Sequence, residues 1–216
     1  KVAAQLRQSS EVSYAAPNPR YIALGGMPAP RPLSYSSAPR FSRFSTPSTN
    51  PAASNMAPAG ALNDAFYQMQ WALPKIGIPN AWNLGGEGSQ EILVAVVDSG
   101  VDYQHPDLKG QIINGKDFMS DEISGPNGEG SPDVIDDDPL DQMGHGTHVA
   151  GIINALPNNA TGIAGIAPGV KVLNIKALNQ EGWGSAFAIA QGITYAVDKG
   201  ARVINLSLGS PEGSKP

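Results

Sequence analysis

Three strand-like runs stand out along the chain, the first of them continuously apolar. "EILVAVVDSG" (91–100) is apolar at both parities until Asp98 and Gly100 close it. That pattern predicts a strand buried on both faces rather than one with a solvent side. "VKVLNIKAL" (170–178) reads as a second buried strand and "ARVINLSLG" (201–209) as a third, again ending in Gly. Between these runs the period changes. "GTHVAGIINAL" (146–156) predicts a buried helix whose small residues permit close approach. "GSAFAIAQGITYAVDKG" (184–200) places Ala186, Ala190, Ile193 and Val197 at helical spacing, with Ser185 as cap and Gly200 as stop. Strand, helix, strand in this order predicts βαβ units, hence an α/β fold with a parallel sheet covered on both sides. Right-handed crossovers bring the strand C-termini to one edge, where such folds put their sites. Asp98 and the stretch Ser207, Leu208, Gly209 both fall there.

The first sixty residues read differently. Residues 2–8 suit one or two helical turns, and "EVSYA" (11–15) alternates like a short strand. From about Pro17 to Gly60 the chain is rich in Pro, Ser and Ala, with no period and scattered arginines. Such a segment buries too little apolar surface to offset its ordering entropy. The expected organisation is therefore a leading piece over 1–20, a linker over 21–61, and a packed domain from 62 to 216.

Composition and charge narrow the function. The 216 residues contain no cysteine, which removes disulfide frameworks and thiolate metal sites. No run of eighteen apolar residues is present, so no membrane-spanning helix is expected. The net charge of −5 is uneven, because residues 1–60 carry six Lys/Arg and one acid. Residues 117–141 carry nine acids and no base. An acidic loop without interleaved aromatics argues against nucleic-acid binding. It reads as either a solvated surface loop or a cation site.

"DQMGHGTHVAGII" (141–153) holds His145 and His148 with glycines around the first. A carboxylate at a strand end and an imidazole at a helix start can meet across the sheet edge. Asp98 would then hold the Nδ1–H of His145, fixing the tautomer and stabilising the imidazolium formed during proton transfer. This is the base half of a nucleophilic system, and it requires a Ser or Cys near Nε2. Gly144 and Gly146 would let the backbone approach the ring. Three plainer readings stand beside it: a turn-forming Asp, a hydrogen-bonded His, or a zinc pair. The zinc reading is weakened because His145 and His148 are spaced i, i+3 with no acid between them.

Taken together, "VAVVDSGVDYQHPDL", "GHGTHVAGII", "GIAGIAP" and "VINLSLG", in this order, resemble the subtilisin-like serine proteases over about Asn63 to Pro216. The resemblance implies a three-layer subtilisin-like fold and an Asp–His–Ser endopeptidase acting on protein or peptide substrates. In it Asp98 orients the base and His145 is the general base and acid. It further implies that Ser207, Leu208 and Gly209 form one wall of the substrate groove, with Gly182 and Gly184 on the other. A peptide laid between them as an added strand would be held by main-chain bonds whatever its side chains. Trp183 departs from the small residue common at its position. His148 is expected to be a packed helix residue and Asp141 a loop residue.

The resemblance also implies structural calcium, Ca2+ held by the side chains of Asp64, Asp107 and Asn159 and the carbonyls of Leu156, Thr161 and Ile163. Oxygen donors in this number suit calcium rather than a transition metal. Asp117 and Asp121 lie where some relatives hold a second cation. "VAAQLRQSSEVSYAAPN" (2–18) resembles the end of the family's propeptide, which assists folding and inhibits the site intramolecularly before removal. A secreted zymogen is the implied setting.

The family's Gly-Thr-Ser-Met-Ala nucleophile motif does not occur in these residues, nor does a counterpart of its oxyanion-hole Asn. Asn174 and Asn205 precede the right region. The expectation is an N-terminal part of a protease precursor, inactive alone, and aggregation-prone because an open sheet edge would be left. The alternatives are a non-catalytic subtilase-like peptide-binding protein, or a plain calcium- or zinc-binding domain.

Overall fold

The computed structural model describes residues 20–23, 62–119 and 135–210. The expected helix at 2–8, the strand at 11–15, Asp121 and most of the linker lie outside the described residues.

The central element is a four-stranded parallel sheet in the order β3-β4-β2-β6. Its strands are β2 (Leu93–Asp98), β3 (Ile112–Asp117), β4 (Lys171–Lys176) and β6 (Val203–Asn205). β2 is buried along almost its whole length, as its unbroken apolar run requires. Its side chains alternate between two cores. Ala95 and Val97 pack with Leu173, Ile175, Ile189 and Ala196 beneath one helix, and Val96 packs with Leu108, Ala150 and Val172 beneath the other. Each fully buried valine contributes about 1.5–3 kcal/mol relative to exposure.

Four helices are described: α1 (Ala72–Lys75), α2 (Ile78–Asn83), α3 (His145–Asn154) and α4 (Ala186–Asp198). α4 starts and stops where expected. Ser185 Oγ accepts from Ala188 N at 3.1 Å, and Gly200, at φ 82°, follows the last turn. Its buried face differs from the expected one. Val197 is 60% exposed and Ala190 also faces outward, while Ala188, Ile189, Gly192 and Ala196 face the sheet. The smallest side chains take the inner face because the helix lies close on the strands: a Cβ at Gly192 would sit 3.0 Å from Val97.

The run 201–209 is two strands rather than one. β6 ends at Asn205, and β7 (Leu208–Gly209) leaves the central sheet for a second one. That second sheet is antiparallel, in the order β5-β1-β7, with β5 at Trp183–Ser185 and β1 at Arg20–Ala23. Residues 20–23 had been assigned, from the absence of any apolar period, to the end of the leading piece and the start of the linker. They are ordered because strand pairing uses main-chain groups and needs no side-chain pattern. β3 was also unforeseen, its run being short and broken by Gly115.

Candidate active site

Asp98 ends β2 and His145 begins α3. Asp98 Oδ1 lies 2.7 Å from His145 Nδ1, with Asp98 fully buried and the His145 side chain 14% exposed. Asp98 Oδ1 also accepts from Ser99 N at 2.7 Å, whereas Oδ2 has no partner among the described residues. Burial pushes the Asp98 carboxyl above the ordinary aspartate range, and the bonds from His145 and Ser99 oppose that rise. The approach depends on Gly146, whose missing side chain would otherwise meet Gly100 O at 2.1 Å. An imidazole held at Nδ1 by a buried carboxylate leaves Nε2 to take a proton from a hydroxyl brought beside it.

Of the residues that the resemblance implies for the groove walls, Gly184 lies in β5 and Leu208 and Gly209 form β7. β1 lies between β5 and β7, pairing Tyr21 with Gly184, Ile22 with Gly209, and Ala23 with Leu208. Ala23 N donates to Gly182 O at 3.0 Å. Ser207 directly precedes β7, outside that pairing, and its Oγ donates to Asn205 Oδ1 at 2.8 Å. A Cβ on Gly182 would lie 3.7 Å from Ala23 and 2.8 Å from Met143, which precedes His145 by two residues in the chain.

His148, expected to pack inside α3, is exposed. Helix α3 turns only one stripe toward the sheet, through Ala150 and Asn154, and His148 falls outside it. Asp141, expected to be an ordinary loop residue, accepts five hydrogen bonds at the start of α3. Nothing in its local sequence separates it from the other acids of 117–141.

The oxygen-rich loop also assembles. Asp64 and Asp107, 5% and 3% exposed, both face the turn 157–163. Asp64 accepts from Asn158 N and Asn159 N at 3.0 and 3.2 Å. Asp107 accepts from Asn159 Nδ2 at 2.7 Å and Ile163 N at 2.9 Å. Asn158 and Ala160 sit at φ 60° and 59°, a conformation that costs non-glycine residues energy. The carbonyls of Leu156, Thr161 and Ile163 accept no hydrogen bond among the described residues. Those free oxygens and the two buried carboxylates fit a hard cation, with one departure. The Asn159 amide presents its nitrogen to Asp107 and its oxygen to Thr161 N, so acting as a ligand would require that amide to turn over. Among the described residues no three His, Asp or Glu side chains cluster as a metal site. Asp117 is engaged otherwise: its Oδ2 lies 2.9 Å from the Nζ of Lys176, both groups being buried.

The structure thus pairs a buried aspartate with a histidine at the edge of a parallel sheet and seats β1 between two strands of a second sheet. The model of the subtilase family matches residues 89–216. A thermophilic serine proteinase from Bacillus sp. (strain AK1) is 47% identical over 149 residues, covering 68% of this chain and 33% of the relative. Thermitase from Thermoactinomyces vulgaris is 42% identical over 154 residues, covering 70% of this chain and 49% of the relative. The major intracellular serine protease of Bacillus subtilis (strain 168) is 45% identical over 137 residues, 63% of this chain and 39% of the relative. The chain belongs to the subtilase family. It spans between about a third and a half of the length of these relatives.

Proposed function

We propose that this chain carries the aspartate and histidine of a calcium-stabilised, secreted subtilisin-like serine endopeptidase precursor, with β1 acting as its intramolecular inhibitor. The observation that carries this reading is the position of β1. A segment of the chain itself is seated between β5 and β7, the strands that carry the expected groove residues, and its last residue, Ala23, bonds to Gly182, beside Met143.

Asp98 holds His145 in the Nδ1–H tautomer, and His145 Nε2 serves as general base and then general acid for a serine hydroxyl. The main-chain groups of Gly182, Gly184, Leu208 and Gly209, with Ser207 at the margin, hold an extended substrate in the place of β1. Calcium would be held by Asp64, Asp107, Asn159 and the carbonyls of Leu156, Thr161 and Ile163. Its contribution is structural, tying the segment before α1 to the turn after α3. Action outside the cell suits a loop of this kind, since calcium is abundant there. These 216 residues contain no nucleophile motif, so the chain is proposed to be inactive by itself.

The test is a full-length precursor assayed on casein and labelled with a serine-directed phosphonate. Both responses should vanish on replacing His145 by Ala, and retained hydrolysis in that variant would overturn the assignment. A second reading is a subtilase-like peptide-binding protein without catalysis. That reading predicts peptide binding by the full-length protein with no phosphonate label.

A further inference from the structure

We infer that Asp141 is a positioning residue for the Asp98–His145 pair, acting by joining the end of β2 to the start of α3. This rests on the protease reading for its effect on turnover, though not for its effect on geometry.

α3 begins after Gly144, which sits at φ 98° and has no side chain with which to cap the helix. Its orphan N–H groups are satisfied from elsewhere in the chain. Asp141 Oδ2 accepts from Thr147 N at 2.9 Å and from Thr147 Oγ1 at 2.5 Å. Asp141 Oδ1 accepts from Met143 N at 2.9 Å, Gly144 N at 2.8 Å and Ser99 Oγ at 2.9 Å. The last bond reaches the other element, because Ser99 is the residue after Asp98.

Ser99 then carries the constraint in both directions. Its hydroxyl proton goes to Asp141, which turns its lone pair to Gly146 N at 3.0 Å, the residue after His145. Its own backbone N–H goes to Asp98 Oδ1, the oxygen that faces the imidazole. Thr147 Oγ1 closes a second link by accepting from Asp102 N at 2.8 Å. One carboxylate thus fixes the hydroxyl directions of Ser99 and Thr147, and these fix the loop after β2 against the first turn of α3. A neutral amide at 141 cannot replace it, since every one of the five contacts is a donor directed at an oxygen. Charge adds to this: a carboxylate at a helix N-terminus is favoured, and that of Asp141 reinforces burial in raising Asp98. The other charged or titratable groups here are Asp102, whose carboxylate is turned to Gln104 N, and the exposed His148.

The test uses Asp141→Asn and Ser99→Ala, singly and together. In the full-length enzyme Asp141→Asn should lower kcat by about 10–100-fold, as expected for a sub-ångström to 1 Å misplacement of a base. KM should stay within about twofold, because neither β5 nor β7 contacts Asp141. Ser99→Ala removes the acceptor of Gly146 N but leaves the four bonds of Asp141 to Met143, Gly144 and Thr147 in place, so it should give the same kcat loss with less effect on folding. The double variant should be no worse than Asp141→Asn alone, since both cut one linkage. In the 216-residue chain, proton NMR should show the hydrogen-bonded His145 Nδ1–H resonance shifted or broadened by either substitution. Failure of the protease reading would appear as a wild-type enzyme without hydrolysis and leave the NMR result standing. An unchanged His145 resonance, wild-type kcat, or losses that simply multiply in the double variant would overturn the inference.

Discussion

Asp98 Oδ1 and His145 Nδ1 stand 2.7 Å apart although 47 residues separate them in the chain. Each is held by its own element, Asp98 as the last residue of β2 and His145 as the first of α3. In the proposed enzyme, Asp98→Asn should lower kcat by about 10⁴, since an amide hydrogen-bonds the wrong imidazole tautomer. Steady-state kinetics on a chromogenic peptide checks this, and a loss under tenfold would contradict the role assigned to Asp98.

The same carboxyl sets a pH dependence of stability. Burial raises its folded pKa above the unfolded value, so its stabilising contribution is complete below the ordinary aspartate range. It is lost as pH rises through the folded pKa, where the buried group must ionise. Relative to Asp98→Asn, the wild-type chain should therefore lose stability between acidic and neutral pH. Parallel denaturant melts from pH 4 to 7 measure this, and a wild-type advantage growing with pH would reverse the sign.

Removing calcium should lower the melting temperature. A cation present at 100 times its Kd stabilises by about 2.7 kcal/mol. Addition of a chelator should remove that increment from the wild-type chain, and Asp107→Ala should abolish the response. Calorimetry with calcium as titrant, showing no heat and no shift in melting, would exclude the site.

Lys176 and Asp117 form a buried pair at the C-terminal edge of β4 and β3. Truncating Asp117 removes the carboxylate 2.9 Å from the buried Lys176 ammonium, so Asp117→Ala should cost about 3–5 kcal/mol. Replacing both by apolar residues of similar volume should cost distinctly less. A double-variant loss equal to the sum of the two single losses, read from urea unfolding, would show that the pair is not coupled.

The groove makes a prediction about processing and binding. If β1 is an intramolecular inhibitor, N-terminal sequencing of a self-processed enzyme should give a start beyond Ala23, because the strand paired between β5 and β7 ends there. Ala23→Pro removes the donor to Gly182 O and should raise the affinity for an added peptide by about tenfold, the worth of one main-chain bond. A processed start before Arg20, or an unchanged affinity measured by fluorescence polarisation, would count against β1 as the occupant.

Much of the fold was legible because its causes are local. A short apolar run at both parities, closed by Asp and Gly, suits a strand covered on both faces, and β2 is such a strand. Ser185 and Gly200 mark the ends of α4 by their own conformational chemistry. Asp98 and His145 were visible for the same reason, one closing a strand and the other opening a helix among glycines. The buried face of α4 was not legible, because Ala186 and Ala190 carry the same sequence signal as Ala188 and Ala196. Only the packing distance to Val97 and Ile175 chooses between them.

What the sequence determined alone was the parallel α/β layout, the edge that bears the site, and the residue types gathered there. Tertiary structure decided which of many similar groups meet. Of the nine acids in 117–141, Asp141 reaches Ser99 across 42 residues and Asp117 reaches Lys176 across 59. Residues 20–23, without any pattern of their own, lie paired between β5 and β7. The physical reason is that hydrogen bonds and ion pairs depend on distance in space. Periodicity records only which face a residue presents, not what stands opposite it.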